Sequence, residues 1–334
     1  MHPYGNRYGI TVKSDGNTIG GTTDADRNII SGNTSNSDSY GIGFWQDADN
    51  NDVYRNYIGV GSDGTTAIGN EAGITFQGTG SGNKIGIESA AQGNIIAHSD
   101  TDGIAVLSSS SINNSINRNS MFSNAGLGID LGTSGVTAND TGDGDSGANR
   151  LQNFPVLASA VTTGSQITIT GTLNSAASTS YRIEFYANSS GDGTGYGEGQ
   201  TFLGVSDVTT NGSGNASFSP VLTANVAGGS AISATVSRLD GGDAAVETSE
   251  FAQNVIATTT GGQPNQSLPG PQNVNEDQIL TFSSGNANAV TVSDNGPADT
   301  RLQVFLSVND GVLNLSQTIG LSIPGGANGS ECVS

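Results

Sequence analysis

One unit recurs along this chain: a glycine, an isoleucine and, two positions later, another apolar residue. It stands at Gly9-Ile10-Thr11-Val12, Gly41-Ile42-Gly43-Phe44, Gly73-Ile74-Thr75-Phe76 and Gly103-Ile104-Ala105-Val106, with a degenerate fifth copy at Gly128-Ile129-Asp130-Leu131. The steps between copies are 32, 32, 30 and 25 residues. Two further units fall between them. One reads Asn17-Thr18-Ile19-Gly20, Asn51-Asp52-Val53 and Asn83-Lys84-Ile85-Gly86. The other reads Asn28-Ile29-Ile30, Asn56-Tyr57-Ile58, Asn94-Ile95-Ile96 and Asn119-Ser120-Met121.

Each period therefore holds three short strands, each with one or two inward apolar residues, separated by polar turns. Strands this short cannot bury a face alone, and stacking each on its copy in the next period gives a continuous core. The pattern predicts a right-handed parallel β-helix of about five coils over residues 1–157, the hand following the rule for parallel crossovers. Copies of one aliphatic residue would lie about 4.8 Å apart. Asparagine at the strand entries can bond to its counterparts above and below, and glycine is expected to open the corners between faces. The first unit begins close to Met1 with no polar segment before it, so further coils or a cap are expected upstream.

Composition agrees. Glycine makes up 50 of 334 residues and charged residues only 12%, a balance that makes turns and strands rather than helices. The net charge of −20 repels phosphate backbones and anionic lipid, which excludes nucleic acid as a partner. A single cysteine, Cys332, allows neither an intrachain disulfide nor a cysteine-based zinc site. The N-terminus shows no signal peptide, and no run is long and apolar enough to span a membrane.

Past Gly126 the pattern changes to an acidic, glycine-rich loop, Asn139 to Asn149, and then to Leu151-Gln152-Asn153-Phe154-Pro155-Val156-Leu157, read as an exit and linker. Alternating runs at Ile167–Thr170, Tyr181–Tyr186, Phe202–Val205, Ala216–Phe218, Ile232–Val236 and Phe251–Val255 predict an antiparallel, immunoglobulin-like β-sandwich over 158–257. A Thr/Gly/Pro/Gln linker is expected at 258–272, and a further strand-rich segment, short for a whole domain, at 273–334.

The run Asn17 to Thr22, with Arg27 to Asn33 and Tyr40 to Ile42, resembles bacterial right-handed β-helix repeat proteins of very large surface or exported polypeptides. Gly126 to Leu157 looks like the end of such a region. Thr248 to Phe251 looks like part of the sandwich that follows it, and Val274 to Leu321 is similar to cadherin-like modules of bacterial adhesins. The resemblance implies export and adhesion; together with the all-β pattern it leads to an expected structural and adhesive, non-enzymatic module, secreted or at the cell surface. It also implies calcium dependence and, as partners, extracellular carbohydrate or neighbouring modules of the same polypeptide.

Candidate chemistry is sparse. Asp140, Asp143 and Asp145 sit two or three residues apart in a glycine-rich loop and suit a hard cation such as calcium. Asp47, Asp49 and Asp52 form a second acidic turn. Glu276 and Asp277, with Asp294 and Asp310, stand where cadherin-like modules hold calcium. The alternative function is a polysaccharide lyase or glycoside hydrolase working along the coils. Arg27, Arg55, Lys84, His98 and Arg118 would then neutralise a uronate, or Asp24/Asp26 and Asp100/Asp102 would supply paired carboxylates. The basic residues are read as scattered rather than sharing one repeat position, and the acidic pairs as occupying corresponding turns. Tyr40, Phe44 and Trp45 are a candidate aromatic platform for a sugar ring.

Overall fold

The computed structural model describes residues 5–35, 38–86, 93–259, 265–275, 278–293, 306–307, 312, 314–315 and 332–333. The chain is nearly all β and forms two compact units, Met1–Thr259 and Thr260–Ser334. Among the described residues no helix is long and apolar enough to cross a membrane.

The repeats build three parallel sheets, which the chain visits in turn. The first holds β1 (Tyr8–Val12), β4 (Tyr40–Phe44), β7 (Ala72–Phe76), β10 (Ile104–Val106) and β13 (Ile129–Leu131). The second holds β2 (Thr18–Gly20), β5 (Asp52–Tyr54), β8 (Lys84–Ile85) and β11 (Ser115–Ile116). The third holds β3 (Ile29–Ile30), β6 (Tyr57–Ile58), β9 (Ile95–Ala97) and β12 (Ser120–Phe122).

Register is what makes these ladders a core. Ile10, Ile42, Ile74, Ile104 and Ile129 pair in one row across the first sheet. Ile19, Val53, Ile85 and Ile116 do so across the second, and Ile30, Ile58, Ile96 and Met121 across the third. All belong to a single apolar cluster, Ile10 at its partly buried edge. Phe44 and Phe76 stack within it at 4.5 Å and 6°. Each fully buried aliphatic side chain contributes about 1.5–3 kcal/mol, so this column contributes heavily to stability.

Polar ladders run beside the apolar one at all three corners. At the first, the backbone and side-chain amides of Asn17, Asn51 and Asn83 donate to Oδ1 of Asn51, Asn83 and Asn114, at 2.7–3.0 Å; Asn149 takes the next step. At the second, Asn28, Asn56, Asn94 and Asn119 repeat the arrangement. The third corner, which the repeat units did not reveal, runs through Asn33, Asn70, Ser99 and Asn124. The glycine of the Gly-Ile unit lets the next coil approach closely, whereas Gly20, Gly32, Gly59 and Gly86 take positive φ where strands end and turns begin. A Cβ on Gly73 would lie 2.4 Å from the carbonyl oxygen of Gly103 and 3.3 Å from the Ser99 hydroxyl.

Residues 156–259 form one nine-stranded sheet. Its strands are β14 (Val156–Thr162), β15 (Ile167–Asn174), β16 (Ser180–Asn188), β17 (Thr201–Thr209), β18 (Asn215–Phe218), β19 (Val221–Leu222), β20 (Ala231–Leu239), β21 (Ala245–Thr248) and β22 (Val255–Thr259). The path is β17-β16-β20-β22-β14-β15-β18, antiparallel except for β14 with β22. The end strands approach each other around a second apolar core containing Ile169, Ile183, Phe185 and Val236. The stretch expected as a linker from Leu151 to Leu157 already enters this sheet at Val156. Phe251, expected to open a strand, instead packs into the core of the parallel sheets.

The nine-stranded sheet closes the C-terminal end of the stack. Ile116 N–H donates to the Thr248 hydroxyl (2.8 Å), Met121 N–H to the Gly199 carbonyl (2.9 Å) and Leu131 N–H to the Glu250 carboxylate (3.0 Å). One donor from each parallel sheet is thus satisfied where another coil would have stood, and Tyr186 and Phe251 cover the apolar column.

In the second unit β23 (Asn265–Ser267) pairs antiparallel with β24 (Thr291–Ser293), and β25 (Leu306–Ser307) with β26 (Cys332–Val333). Within the stretch expected as a linker, Thr258 and Thr259 belong to β22 and Asn265–Ser267 to β23.

Candidate functional site

The acidic loop is tied down by amides before any carboxylate is considered. Asn139 and Phe154 exchange two bonds, Asn153 bridges Asp140 and Asn174, and Gly142 N–H donates to Asn174. This brings Asp140, Asp143 and Asp145 together, with one oxygen from each within 4.8 Å of the others. Asp143 accepts from the Asn153 N–H (2.8 Å) and the Ser175 hydroxyl (2.9 Å); Asp140 accepts from Gly144 N–H (3.1 Å). Burial, and then the charges of Asp145 and Asp140, push the Asp143 carboxyl up to about 6. Asp145 is raised by its own burial and by Asp140. Three converging carboxylates that repel one another are oxygen donors suited to a divalent cation, with water completing the shell.

The other acidic candidates do not assemble in this way. Asp49 accepts from Ser81 N–H and its own N–H donates to Asp15, so it links turns of successive coils. Asp47 and Asp52 join it in no metal-sized group among the described residues. Glu276, Asp277, Asp294 and Asp310 lie outside the described residues.

The acidic pairs do not correspond either. Asp24 and Asp26 lie between the second and third strands of a coil, whereas Asp100 and Asp102 lie between the third strand and the next coil. Asp24 binds both Arg27 and Arg55, and the Arg55 hydrogen bond does most to hold its carboxyl below the usual range. The basic residues also need correction. Arg27, Arg55, Gly93 and Arg118 each stand two residues before the paired row Ile29, Tyr57, Ile95 and Ser120, so three of the five share one repeat position. Each directly precedes an asparagine of the Asn28 family, so the row was readable in the sequence. No aromatic platform forms: Tyr40 and Phe44 are buried, and half-buried Trp45 donates its indole N–H to the Tyr40 hydroxyl. His98 takes a left-handed backbone (φ 58°) like Gly32 (φ 78°), the turn role its position suggests.

The largest concentration of buried charge is one that sequence reasoning missed, at the seam between the stack and the nine-stranded sheet. Glu184 (1% exposed) accepts from Arg118 N–H at 2.8 Å and from the Tyr186 hydroxyl at 2.6 Å. Glu247 (1% exposed) takes Arg150 and Arg238. Glu198 (4% exposed) accepts from both the backbone and side-chain amides of Asn124, standing where the next ladder asparagine would be. Glu250 (2% exposed) accepts from Leu131 N–H and Thr137 N–H. Burial pushes Glu198 and Glu250 up to about 7. Asp130, outward on β13, reaches about 7 through burial and then the Asp102 charge. A signal was present: Glu184 interrupts the apolar run Ile183–Tyr186, and Glu250 stands between Ser249 and Phe251.

Beside Glu198 opens a small polar cavity of about 240 Å³, lined by Phe122, Ser123, Asn188, Asp192 and Gln200 among others. No protein-family model matches the chain, and no curated protein matches it in sequence.

Proposed function

We propose that this chain is a structural and adhesive module of a large secreted or surface-displayed bacterial protein. In this reading residues 1–157 wind as a right-handed parallel β-helix, 158–257 form an immunoglobulin-like sandwich, and 273–334, after a linker, begin a cadherin-like module. The partners are extracellular carbohydrate or neighbouring modules of the same polypeptide. The observation that carries the reading is where the polar groups of the repeats are used. The ladder asparagines bond to their own copies, Arg27 and Arg55 are held by Asp24, and the end of the stack is pinned by the following sheet. Such construction suits a stiff spacer.

Calcium at Asp140, Asp143 and Asp145 belongs to the same reading. It would brace the loop that joins the stack to the nine-stranded sheet and offset the burial, and then the repulsion, that raise Asp143. The alternative, a carbohydrate-active enzyme, finds its support in Asp130, an outward-facing buried carboxyl able to hold a proton near neutrality beside Asp102.

Three assays decide. Immobilised glycans should retain the chain, uronate polysaccharides should yield no ultraviolet-absorbing unsaturated product, and other polysaccharides should release no reducing sugar. Product in either activity assay would replace the adhesive reading with the enzymatic one. Added calcium should raise the melting midpoint and a chelator reverse it; a midpoint indifferent to both removes calcium.

A further inference from the structure

The seam between the stack and the nine-stranded sheet contains two kinds of carboxylate. Glu184 faces Arg118, with Arg182 nearby, and Glu247 faces Arg150 and Arg238, so both are held against cations. Glu198, Glu250 and Asp130 form no ion pair among the described residues. Glu198 meets the two Asn124 amides and the charge of Asp192, and Phe122, which lines the same cavity, carries His98 edge-on at 5.5 Å. Glu250 meets Leu131 N–H, Thr137 N–H and the charge of Asp130. Asp130 meets Asp102, and its Oδ1 is buried without a hydrogen-bond partner. The charges that bear on these three groups are those of Asp192, Asp130 and Asp102, all negative.

We propose that this seam is a pH-sensitive clamp: with Glu198, Glu250 and Asp130 protonated it holds the sheet against the last coil, and their ionisation loosens it. Ionised, the three place like charges in a desolvated seam with only neutral donors to compensate, which is costly. Glu184 and Glu247 have arginine partners that these three lack, so the seam is pinned on one side and loosens on the other.

The sign follows from linkage. Glu198, Glu250 and Asp130 bind a proton more tightly folded, near 7, than an unfolded carboxyl at about 4. Their contribution is complete below the unfolded value and is lost as pH rises through the folded one. The clamp is therefore tightest in mild acid and weakest above neutrality.

Amide hydrogen exchange of the full chain, corrected for the intrinsic pH dependence of exchange, reads this directly. Protection of the Asn124 and Leu131 amides should fall at least about tenfold between about pH 5.5 and about pH 8.5, while mid-stack Ile74 stays protected. In a Glu198→Gln, Glu250→Gln, Asp130→Asn variant the fall should vanish. If that variant does not fold, Glu198→Gln alone should flatten Asn124 and leave Leu131 responsive. Protection that is flat in the unmodified chain, falls equally at Ile74, or persists in falling at Asn124 in the variants overturns the proposal.

Discussion

The stack and its seam with the nine-stranded sheet bury polar groups in opposite ways. Inside the stack they are neutral amides, with Asn51, Asn56, Asn70 and Asn83 at 0% exposure. At the seam they are carboxylates, Glu184, Glu198, Glu247 and Glu250. An asparagine both donates and accepts, so it passes the same pattern to the next coil; a carboxylate only accepts. The last coil offers donors, the amides of Asn124, Arg118 N–H and Leu131 N–H. An acceptor that offers nothing onward is the group that ends such a ladder. Propagation here runs through amides and termination through carboxyl groups.

Four substitutions test that contrast. The largest effect should come from the apolar column both regions depend on: Ile74→Ala should cost about 2–5 kcal/mol in chemical denaturation. Next is a matched exchange. Asn94→Asp puts an acceptor-only group in mid-ladder, where Asn94 now donates to Val53 and Asn119, and should cost about 3 kcal/mol above neutral pH. Glu198→Gln makes the reverse change at the terminus and should leave stability at neutral pH equal or higher. Similar losses from both would erase the distinction. Smallest is a gain. Ser99 interrupts the third ladder with a buried, unpartnered hydroxyl, and Ser99→Asn should add about 1 kcal/mol, seen as a higher melting midpoint.

Much of the stack was legible because its core repeats in identity as well as hydrophobicity. Ile10, Ile42, Ile74 and Ile104 mark the register before any coordinate is known. The Asn28 and Asn17 families were equally plain, although the Asn114 copy passed unnoticed. The third corner was not legible, since Ser99 breaks its pattern and the distance from Asn33 to the following Gly-Ile unit differs from that after Asn70. The acidic loop was found because its three aspartates are close in sequence. The seam was not, because Glu184, Glu198 and Glu250 gain their meaning from Arg118, Asn124 and Leu131, which lie 66, 74 and 119 residues away. Spacing reports neighbours along a coil but not which strand end will face another.

Methyl-to-methyl contacts in a sample labelled at isoleucine report the stacking of the coils itself. In solution, Ile10, Ile42, Ile74, Ile104 and Ile129 should give a chain of cross-peaks linking each to the next along the row and skipping none. Strong contacts between non-adjacent members, or no contact between Ile42 and Ile74, would contradict the stack and, with it, the seam that closes it.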